Sequence, residues 1–400
     1  MIFIMTSSIH TLKKEVREVL TTNILPYWIH RMIDNRGGFH GRIDGNDNLV
    51  AGADKGAILN ARILWTFSAA YRLLRKKEYL QVATRAKRVI INDFFDKEHG
   101  GIYWSLNCNG IPSDTKKQIY ALGFAIYGLS EYHRATGDEE ALKYAIHLFN
   151  DIETHSFDQE KNGYYEAATR DWQEIEDMRL SEKDANERKT MNTHLHILEP
   201  YTNLYRVWKD EHLKEQIRNL ILLFIQKIKH PTTHHLQLFF DDDWNSKHDI
   251  ISYGHDIEAS WLIHEAALEI GDVQLLSEVE PIIQQIACAA TEGLTVLGGM
   301  IYEKDVKQNH TDTDYHWWVQ AETVVGYLNI FQHFGDEASL QKSLLCWDFI
   351  KKHLIDYTHG EWHWSVDQDG TPNHNDDKAG FWKCPYHNGR MCMEIMERFK

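Results

Sequence analysis

The stretch Gly137-Asp138-Glu139-Glu140-Ala141-Leu142 decides the fold, because related stretches recur along the 400-residue chain. They are Lys77-Glu78-Tyr79-Leu80, Asp210-Glu211-His212-Leu213, Gly271-Asp272-Val273-Gln274-Leu275 and Gly335-Asp336-Glu337-Ala338-Ser339-Leu340. Their final leucines follow one another at intervals of 62 to 71 residues. Glycine commonly ends a helix and aspartate caps the next one, so each stretch predicts a tight turn between two helices.

A second kind of connection alternates with these turns and usually carries glycine beside aromatic residues. It occurs at Gly37-Gly38-Phe39-His40-Gly41, Gly100-Gly101-Ile102-Tyr103-Trp104, Gly163-Tyr164-Tyr165, Gly298-Gly299-Met300-Ile301-Tyr302 and Gly360-Glu361-Trp362-His363-Trp364. Leu236 to Phe240 takes the remaining place in the series without a glycine. We interpret these segments as short β-hairpins or extended loops. Together they divide the chain into six units.

Helical patterns fill the segments between these markers. The predicted helices lie near 8–33, 56–75, 79–95, 116–136, 138–155, 189–208, 210–229, 255–270, 272–292, 315–334, 336–355 and 386–399. Twelve helices in six hairpins can close into a ring with alternate helices inside and outside. We therefore predict an all-α protein: an (α/α)6 barrel formed as one catalytic domain by residues 1–400, with short β-hairpin loops at one rim. An open helical array is the alternative, and closure is preferred because neither terminus resembles a polar capping repeat.

The composition excludes several classes of protein. The formal net charge of −16 argues against nucleic acid as a partner, since that binding needs clustered positive charge. No apolar run approaches the ~20 residues that cross a bilayer, and the apolar start from Met1 to Met5 is too short for a secretion signal. Five cysteines without a CxxC pair fit a reducing compartment, so we expect a cytoplasmic protein.

The glycine-aromatic loops all precede the same class of helix, so six helices are expected to begin at one rim of the barrel. The segments around these helix starts carry polar and aromatic residues: Arg62, Tyr120, Asn192, His196, His255, Glu258, Trp317, Trp318, Glu322, Trp382 and His387. Each of them alone has an ordinary structural explanation, as a packed aromatic ring, a paired arginine or a buried imidazole. Their recurrence at six corresponding helix ends favours a functional site.

These residue types suit proton transfer on a neutral, polyhydroxylated ligand. Tryptophan faces stack on sugar rings, and histidines act as acid and base near neutral pH. Arg62 and the helix N-termini would stabilise an oxyanion or enediolate, and Glu258, three residues after His255, would fix the tautomer of that histidine. No metal site is predicted. His194 and His196 lie on different helix faces, and His255 and Glu258 are three residues apart, whereas the usual zinc spacing on a helix is four.

Five strings in these helices resemble the N-acylglucosamine 2-epimerase superfamily. They are Asn60-Ala61-Arg62-Ile63-Leu64-Trp65, Met191-Asn192-Thr193-His194-Leu195-His196-Ile197-Leu198-Glu199, Tyr253-Gly254-His255-Asp256-Ile257-Glu258-Ala259-Ser260-Trp261, Trp317-Trp318-Val319-Gln320-Ala321-Glu322 and Trp382-Lys383-Cys384-Pro385-Tyr386-His387-Asn388. The last two strings favour the branch that acts on β-1,4-linked disaccharides. The superfamily fold is an (α/α)6 barrel, which agrees with the count of repeats.

The resemblance implies reversible epimerisation at carbon 2 of a reducing-end glucose, through ring opening and a cis-enediol(ate). His255 and His387 would be the acid/base pair, with Glu258 supporting His255, while His196, Asn192 and Arg62 would contact the open-chain oxygens. The residues implied to line the sugar pocket are Tyr120, Trp318, Trp382, Glu322, Ser181 and Asp184. The resemblance implies no metal and no cofactor. The expected partner is a small disaccharide, with no nucleic acid and no membrane, and the protein is expected to be a monomer or weak homodimer.

Three alternatives remain open at this point. A sister enzyme of the superfamily would act on free mannose or glucose, or on N-acetylglucosamine. An (α/α)6 glycoside hydrolase would need two carboxylates ~5–5.5 Å or ~6.5–9.5 Å apart across a glycosidic bond. A non-catalytic sugar-binding protein would need the aromatic rim without a poised pair of histidines.

Overall fold

The computed structural model describes residues 2–399, with side chains from residue 8 onward. Its helices are α1 Ile2–Val19, α2 Leu25–Arg31, α3 Ala57–Leu74, α4 Lys77–Val89, α5 Ile119–Thr136, α6 Glu139–His155, α7 Met191–Val207, α8 Glu211–Leu223, α9 Tyr253–Ile270, α10 Val273–Ala289, α11 Trp317–Phe334, α12 Glu337–Phe349 and α13 Tyr386–Arg398. A π-helical turn, Leu20–Ile24, joins α1 to α2, so the described chain forms twelve helical rods. Further helical turns continue α4, α8, α10 and α12 over Ile90–Phe94, Phe224–Ile228, Ala290–Gly293 and Ile350–Leu354. With these turns included, the twelve predicted helices are confirmed within a few residues, except that the first begins at Ile2.

The tight turns between hairpin helices have the predicted chemistry. Asp138 accepts a hydrogen bond from the backbone of Ala141, at the start of α6, and Asp210, Asp272 and Asp336 cap α8, α10 and α12 in the same way. Such caps satisfy backbone N–H groups that the first helical turn leaves unpaired. The turn between α3 and α4 differs, because Arg75 adopts the left-handed conformation there with φ 56°.

The six helices that follow the long loops form a closed inner ring, as predicted. Each of α3, α5, α7, α9 and α11 packs against the next, and α13 packs against both α11 and α3. Glycines let these helices approach closely: a Cβ on Gly123 of α5 would lie 2.3 Å from the carbonyl oxygen of His196, and one on Gly326 of α11 would lie 2.5 Å from Ile257. Closure confirms the (α/α)6 barrel over the open array.

Short antiparallel strands tie the long loops together at one rim. They are β1 Lys55–Gly56, β2 Ser105–Leu106, β3 Pro112–Asp114, β4 Lys117–Gln118, β5 Ala167–Ala168, β6 Lys189–Thr190, β7 Phe239–Phe240, β8 Ile250–Ser252, β9 Glu303–Asp305, β10 His310–Asp312, β11 Tyr315–His316 and β12 Ser365–Val366. The sheets run β1-β2-β3, β4-β5, β6-β7, β8-β9-β10 and β11-β12. A strand that precedes one inner helix therefore pairs with the loop of the next unit, which locks neighbouring units together.

One β-bridge recurs in all six units and confirms the repeat count. The pairs are Ile33 with Phe39, Phe95 with Ile102, Phe157 with Tyr164, Lys229 with Leu236, Leu294 with Met300 and Ile355 with Trp362. The fourth pair lies in the unit that lacks the glycine motif, so Leu236 does occupy the expected place in the series.

The opposite end of the barrel is closed by ion pairs between the last turns of the inner helices. Arg72 on α3 contacts Glu131 on α5 at 2.6 Å, and Arg206 on α7 contacts Glu265 on α9 at 2.6 Å. These residues line a cavity of about 390 Å³, which contains none of the predicted site residues. Among residues 2–399, no helix is both long and apolar enough to cross a membrane.

Candidate active site

The N-terminal turns of the inner helices bring the predicted residues together at the rim that carries the strands. They carry Arg62 on α3, Tyr120 on α5, Asn192 and His196 on α7, His255 and Glu258 on α9, Trp318 and Glu322 on α11, and His387 on α13, with Trp382 in the loop before α13. Most of these side chains are buried. The positive ends of six helix dipoles lie at this rim, so it favours developing negative charge.

A cavity of about 520 Å³ opens at this rim. Asn192 and His255 line it together with Glu166, Asp184 and Tyr302. Three buried polar atoms of the predicted site have no hydrogen-bond partner among the described residues: Arg62 Nε, Asn192 Oδ1 and Glu258 Oε2. Buried polar atoms are normally paired, so these three atoms remain available for hydrogen bonds to a polar ligand.

His387 is held by a glutamate from the neighbouring helix. Its Nδ1 lies 2.7 Å from Oε1 of Glu322, and a carboxylate at this nitrogen turns Nε2 away from Glu322. Burial lowers the pKa of His387 well below its usual value, and the nearby guanidinium groups of Arg62 and Arg390 lower it further. The imidazole is therefore neutral at pH 7 and can accept a proton.

His196 is paired in a similar way on its own helix. Its Nδ1 lies 3.1 Å from Oε2 of Glu199, and burial lowers its pKa. Burial would raise the pKa of Glu199, but the guanidinium of Arg390 outweighs this effect, so the pKa is lowered to about 2.

His194 differs from His387 and His196, because its Nδ1 contacts the carbonyl of Thr190 and its Nε2 accepts from the backbone of Tyr164. Both of its nitrogens serve the fold, as expected for a structural histidine.

The expected support of His255 by Glu258 is wrong. Nδ1 of His255 lies 2.7 Å from Oγ of Ser252, while Glu258 accepts from Arg390 Nη2 at 2.7 Å and lies 3.8 Å from Nδ1 of His387. Although three residues on a helix share a face, His255 lies at the rim where Ser252 precedes the helix, and Glu258 lies one turn deeper. Burial lowers the pKa of His255 to about 3.

Arg390 binds three carboxylates below the histidines. Its Nη1 donates to Glu199, and its Nη2 donates to both Glu258 and Glu322 at 2.7 Å. Burial raises the pKa of Glu258 well above its usual value, and repulsion from Glu322 raises it further. Arg390 opposes this rise, because its guanidinium lowers the pKa of both glutamates.

Arg62 presents its guanidinium between aromatic rings. Its Nη2 donates to the hydroxyl of Tyr120 at 2.8 Å, and its carbon Cζ lies 4.1 Å from the ring centre of Phe124. Its Nη1 lies 3.8 Å from Sγ of Cys384. These contacts fix the cation in place, while Nε stays without a partner among the described side chains.

Two tryptophans form aromatic surfaces near the histidines. Trp318 lies against both His255 and His387, with ring centres 4.8 Å and 5.7 Å apart. Trp382 contacts Tyr120 at 5.9 Å. Trp317 packs against Trp364 at 4.8 Å, lies edge-on to His387 at 6.2 Å and is almost fully buried, so it supports the site from the core.

Ser181 and Asp184 lie on the loop between β5 and β6. Oδ2 of Asp184 accepts from both the backbone N–H and the hydroxyl of Ser181. Asp184 lines the cavity, whereas the hydroxyl of Ser181 donates its hydrogen bond within the loop, to Asp184. Contact of either residue with a sugar stays a prediction.

One trio could in principle hold a metal ion within the described part of the chain. Ligand atoms of Glu258, Glu322 and His387 lie within 4.8 Å of one another. Arg390 already donates to both glutamates at 2.7 Å, so its guanidinium provides the positive charge that a bound cation would bring. This donor set does not fit an open metal site.

Sequence reasoning missed Arg390, Ser252 and the role of Glu199. A local signal existed for two of them: Glu199 follows His196 by three residues and Arg390 follows His387 by three, so each shares a helix face with a predicted histidine. The third, Ser252, directly precedes α9 at a position where serine usually caps a helix, which hid its contact with His255.

The barrel fold and a buried cluster of histidines at the rim, of which His255 lines the cavity of about 520 Å³, fit an enzyme that transfers protons on a polar substrate. Residues 37–389 match the N-acylglucosamine 2-epimerase (GlcNAc 2-epimerase) family. A cellobiose 2-epimerase of Bacteroides fragilis is 68% identical over 96% of this chain and 98% of that protein. One of Ruminococcus albus is 41% identical over 96% of this chain and 98% of that protein.

A solved structure agrees with these sequence relatives. The cellobiose 2-epimerase of Bacillus thermoamylovorans superimposes with a TM-score of 0.92 at 43% identity, covering 97% of this chain and 100% of that one. The chain therefore belongs to the N-acylglucosamine 2-epimerase family and is a carbohydrate epimerase of the isomerase class. The resemblance found in the five sequence strings is confirmed.

Proposed function

We propose that this protein is a cellobiose 2-epimerase. It interconverts glucose and mannose at the reducing end of β-1,4-linked disaccharides, turning cellobiose into glucosyl-mannose and lactose into epilactose. The observation that carries the proposal is the convergence of two neutral imidazoles on one tryptophan: the ring centres of His255 and His387 lie 4.8 Å and 5.7 Å from that of Trp318. The near full-length similarity to cellobiose 2-epimerases supports it.

The reaction begins when the pyranose ring opens and exposes the aldehyde at carbon 1. One neutral histidine of the pair removes the proton from carbon 2, and the electron pair moves onto the carbonyl oxygen to give a cis-enediolate. The other histidine takes up a proton from solvent and gives it to carbon 2 from the opposite face as the electron pair returns from the oxygen. The first histidine releases its proton to solvent, and the ring closes. Neutral imidazoles suit the base role because burial keeps the pKa of both rings low.

The enediolate carries a negative charge that needs a fixed partner. Arg62 supplies it, since the guanidinium is buried and oriented by Tyr120. Asn192 and His196 complete the set of polar groups around the open-chain oxygens. Preorganised donors of this kind stabilise a developing oxyanion more strongly than water does.

The two sugars bind along the rim. Trp318 and Trp382 stack on the disaccharide, Tyr120 and Glu322 line the inner part of the pocket, and Ser181 and Asp184 lie where the second sugar extends. We propose no metal or cofactor in this scheme, because Arg390 and Arg62 supply the positive charges.

We further propose that residues 1–400 act as one catalytic domain in the cytoplasm, as a monomer or weak homodimer. All five cysteines are free, which fits a reducing compartment. Light scattering coupled to size-exclusion chromatography, repeated over a range of protein concentrations, tests the oligomeric state. A stable tetramer would contradict it.

The reaction is tested by incubating the protein with cellobiose in heavy water and analysing the products by mass spectrometry and proton NMR. We expect a glucosyl-mannose disaccharide that carries one deuterium at carbon 2 of its reducing sugar. Release of glucose would indicate a hydrolase. Unchanged cellobiose together with conversion of free mannose or N-acetylglucosamine would indicate a sister enzyme, and binding of cellobiose without conversion would indicate a sugar-binding protein.

A further inference from the structure

The hydroxyl of Ser252 is used in an unusual way. Ser252 is the N-cap residue of α9, yet its side chain makes no hydrogen bond to the helix backbone. The equivalent residue of α7, Thr190, does cap its helix by accepting from the backbone of Thr193. Ser252 instead places its hydroxyl 2.7 Å from Nδ1 of His255, so the cap has been exchanged for a contact with a histidine.

The position of Ser252 is fixed from outside the helix. It belongs to β8, where it pairs with Glu303 of β9, and it is itself almost fully buried on the wall of the cavity. The imidazole of His255 also meets the indole of Trp318, which lies so close to α9 that a Cβ on Gly254 would be 2.7 Å from it. The His255 ring is thus held by Ser252 at one nitrogen and by Trp318 on its face.

The two proposed catalytic histidines consequently have different partners. Nδ1 of His387 faces a carboxylate of Glu322, a partner that favours an imidazolium ion, although burial and two arginines lower the pKa of His387 overall. Nδ1 of His255 faces a neutral hydroxyl, which orients the ring but stabilises its charged form less. Other groups that act on His255 are His196 of α7, which disfavours its protonation, and Glu322 of α11, which favours it.

We propose that Ser252 is the positioning residue of His255, and that its hydroxyl holds the imidazole in the orientation that proton transfer requires. This inference rests on the proposed function, with His255 and His387 as the acid/base pair. Ser252 orients Nε2 of His255 toward carbon 2 without touching the sugar. The role that the sequence assigned to Glu258 thereby passes to a residue outside the helix.

The test compares Ser252→Ala and Ser252→Thr with the wild-type enzyme on cellobiose. We expect Ser252→Ala to lower kcat about tenfold, the effect of losing one hydrogen bond of about 1.4 kcal/mol, with KM changed less than twofold. Ser252→Thr keeps the hydroxyl and should restore most of kcat. Asp210→Ala serves as the matched control, because Asp210 is an ordinary cap of the outer helix α8; it should lower the melting temperature and leave kcat unchanged.

NMR of ¹⁵N-histidine-labelled protein supplies a readout that does not depend on turnover. The Nδ1 signal of His255, assigned with a His255→Gln variant, should shift in Ser252→Ala and stay near its wild-type position in Ser252→Thr. An unchanged signal in Ser252→Ala, or wild-type kcat in that variant, would overturn the positioning role. A wild-type enzyme inactive on cellobiose would overturn the proposed function instead, and the NMR comparison would still decide the contact.

Discussion

Nδ1 of His387 lies 2.7 Å from Oε1 of Glu322, although the two residues are 65 positions apart in the chain. Replacing this carboxylate by an amide, Glu322→Gln, removes the charge that favours the imidazolium form of His387. A hydrogen bond to a charged group is worth about 1.5–3 kcal/mol, so we expect kcat on cellobiose to fall about 10- to 100-fold with little change in KM. Glu265→Gln, at the opposite end of α9, is the control and should affect stability only. Equal kcat values for wild type and Glu322→Gln would contradict this role.

The largest loss of turnover is expected when either histidine of the pair His255 and His387 is replaced. Positioned acid–base groups contribute about 100- to 10,000-fold to a rate, so His255→Ala and His387→Ala should each lower turnover by that order. Circular dichroism should show an intact fold in both variants. His264 is a suitable control, because it is buried on α9 away from the rim and contacts Asn329; His264→Gln should keep turnover. Near-normal rates in either alanine variant would remove that histidine from the acid/base role.

Arg390 should affect stability and turnover separately. Arg390→Met leaves three buried carboxylates without their cation, and breaking a buried ionic network of this kind costs about 3–5 kcal/mol. Urea denaturation should show this loss.

Arg390→Lys keeps the charge, but a single ammonium group cannot reproduce the fork that holds Glu199, Glu258 and Glu322, so we expect about a tenfold lower kcat with a smaller loss of stability. Arg206→Lys is the matched variant at the far end, and it should keep kcat unchanged. A similar kcat for Arg390→Lys and wild type would rule out a positioning function of the fork.

The buried carboxyl group of Glu166 should make the free energy of unfolding of the protein depend on pH. Burial raises its pKa from 4.5 to about 8, so the folded protein holds a proton that the unfolded chain releases between these values. The contribution of Glu166 to stability is fully present below pH 4.5 and is lost as the pH rises toward 8, with a slope approaching 1.4 kcal/mol per pH unit. Glu166→Gln removes this titration. Its free energy of unfolding relative to the wild type should therefore increase from pH 5 to pH 8, and a difference that stays constant over this range would show that the carboxyl is not held neutral.

Activity should not depend on a divalent metal. Arg390 occupies the space between Glu258 and Glu322, the carboxylates of the trio that could otherwise bind an ion. Dialysis against a chelator should leave the rate of cellobiose epimerisation unchanged. Loss of activity that a divalent ion restores would show that a metal takes part.

The repeat pattern could be read from the sequence because its signals are local. A glycine and an aspartate within one turn, such as Gly137 and Asp138, end one helix and cap the next whatever the rest of the chain does. The same holds for the five glycine-aromatic loops, whose spacing along the chain gave the number of units. Even the irregular unit at Leu236 could be placed by counting.

The candidate residues could be found for the same reason. Each unit has its long loop before its inner helix, and Arg62, His196, His255 and His387 lie near the start of such a helix. The inner helices all start at one rim. The sequence did not reveal the partners of these residues. Glu258 was assigned to His255 because the two share a helix face, but the side chains at one rim lie at different depths.

The sequence by itself determined the barrel, the rim and the histidines, because turns, caps and helical periodicity depend on neighbours within a few residues. Only the tertiary structure decided which group supports which histidine. Glu322 reaches His387 from the next helix, Ser252 reaches His255 from a strand held by the β8-β9-β10 sheet, and Arg390 joins glutamates from three helices. Hydrogen bonds between helices depend on how far each side chain lies below the rim, and that depth is set by the packing of the closed ring.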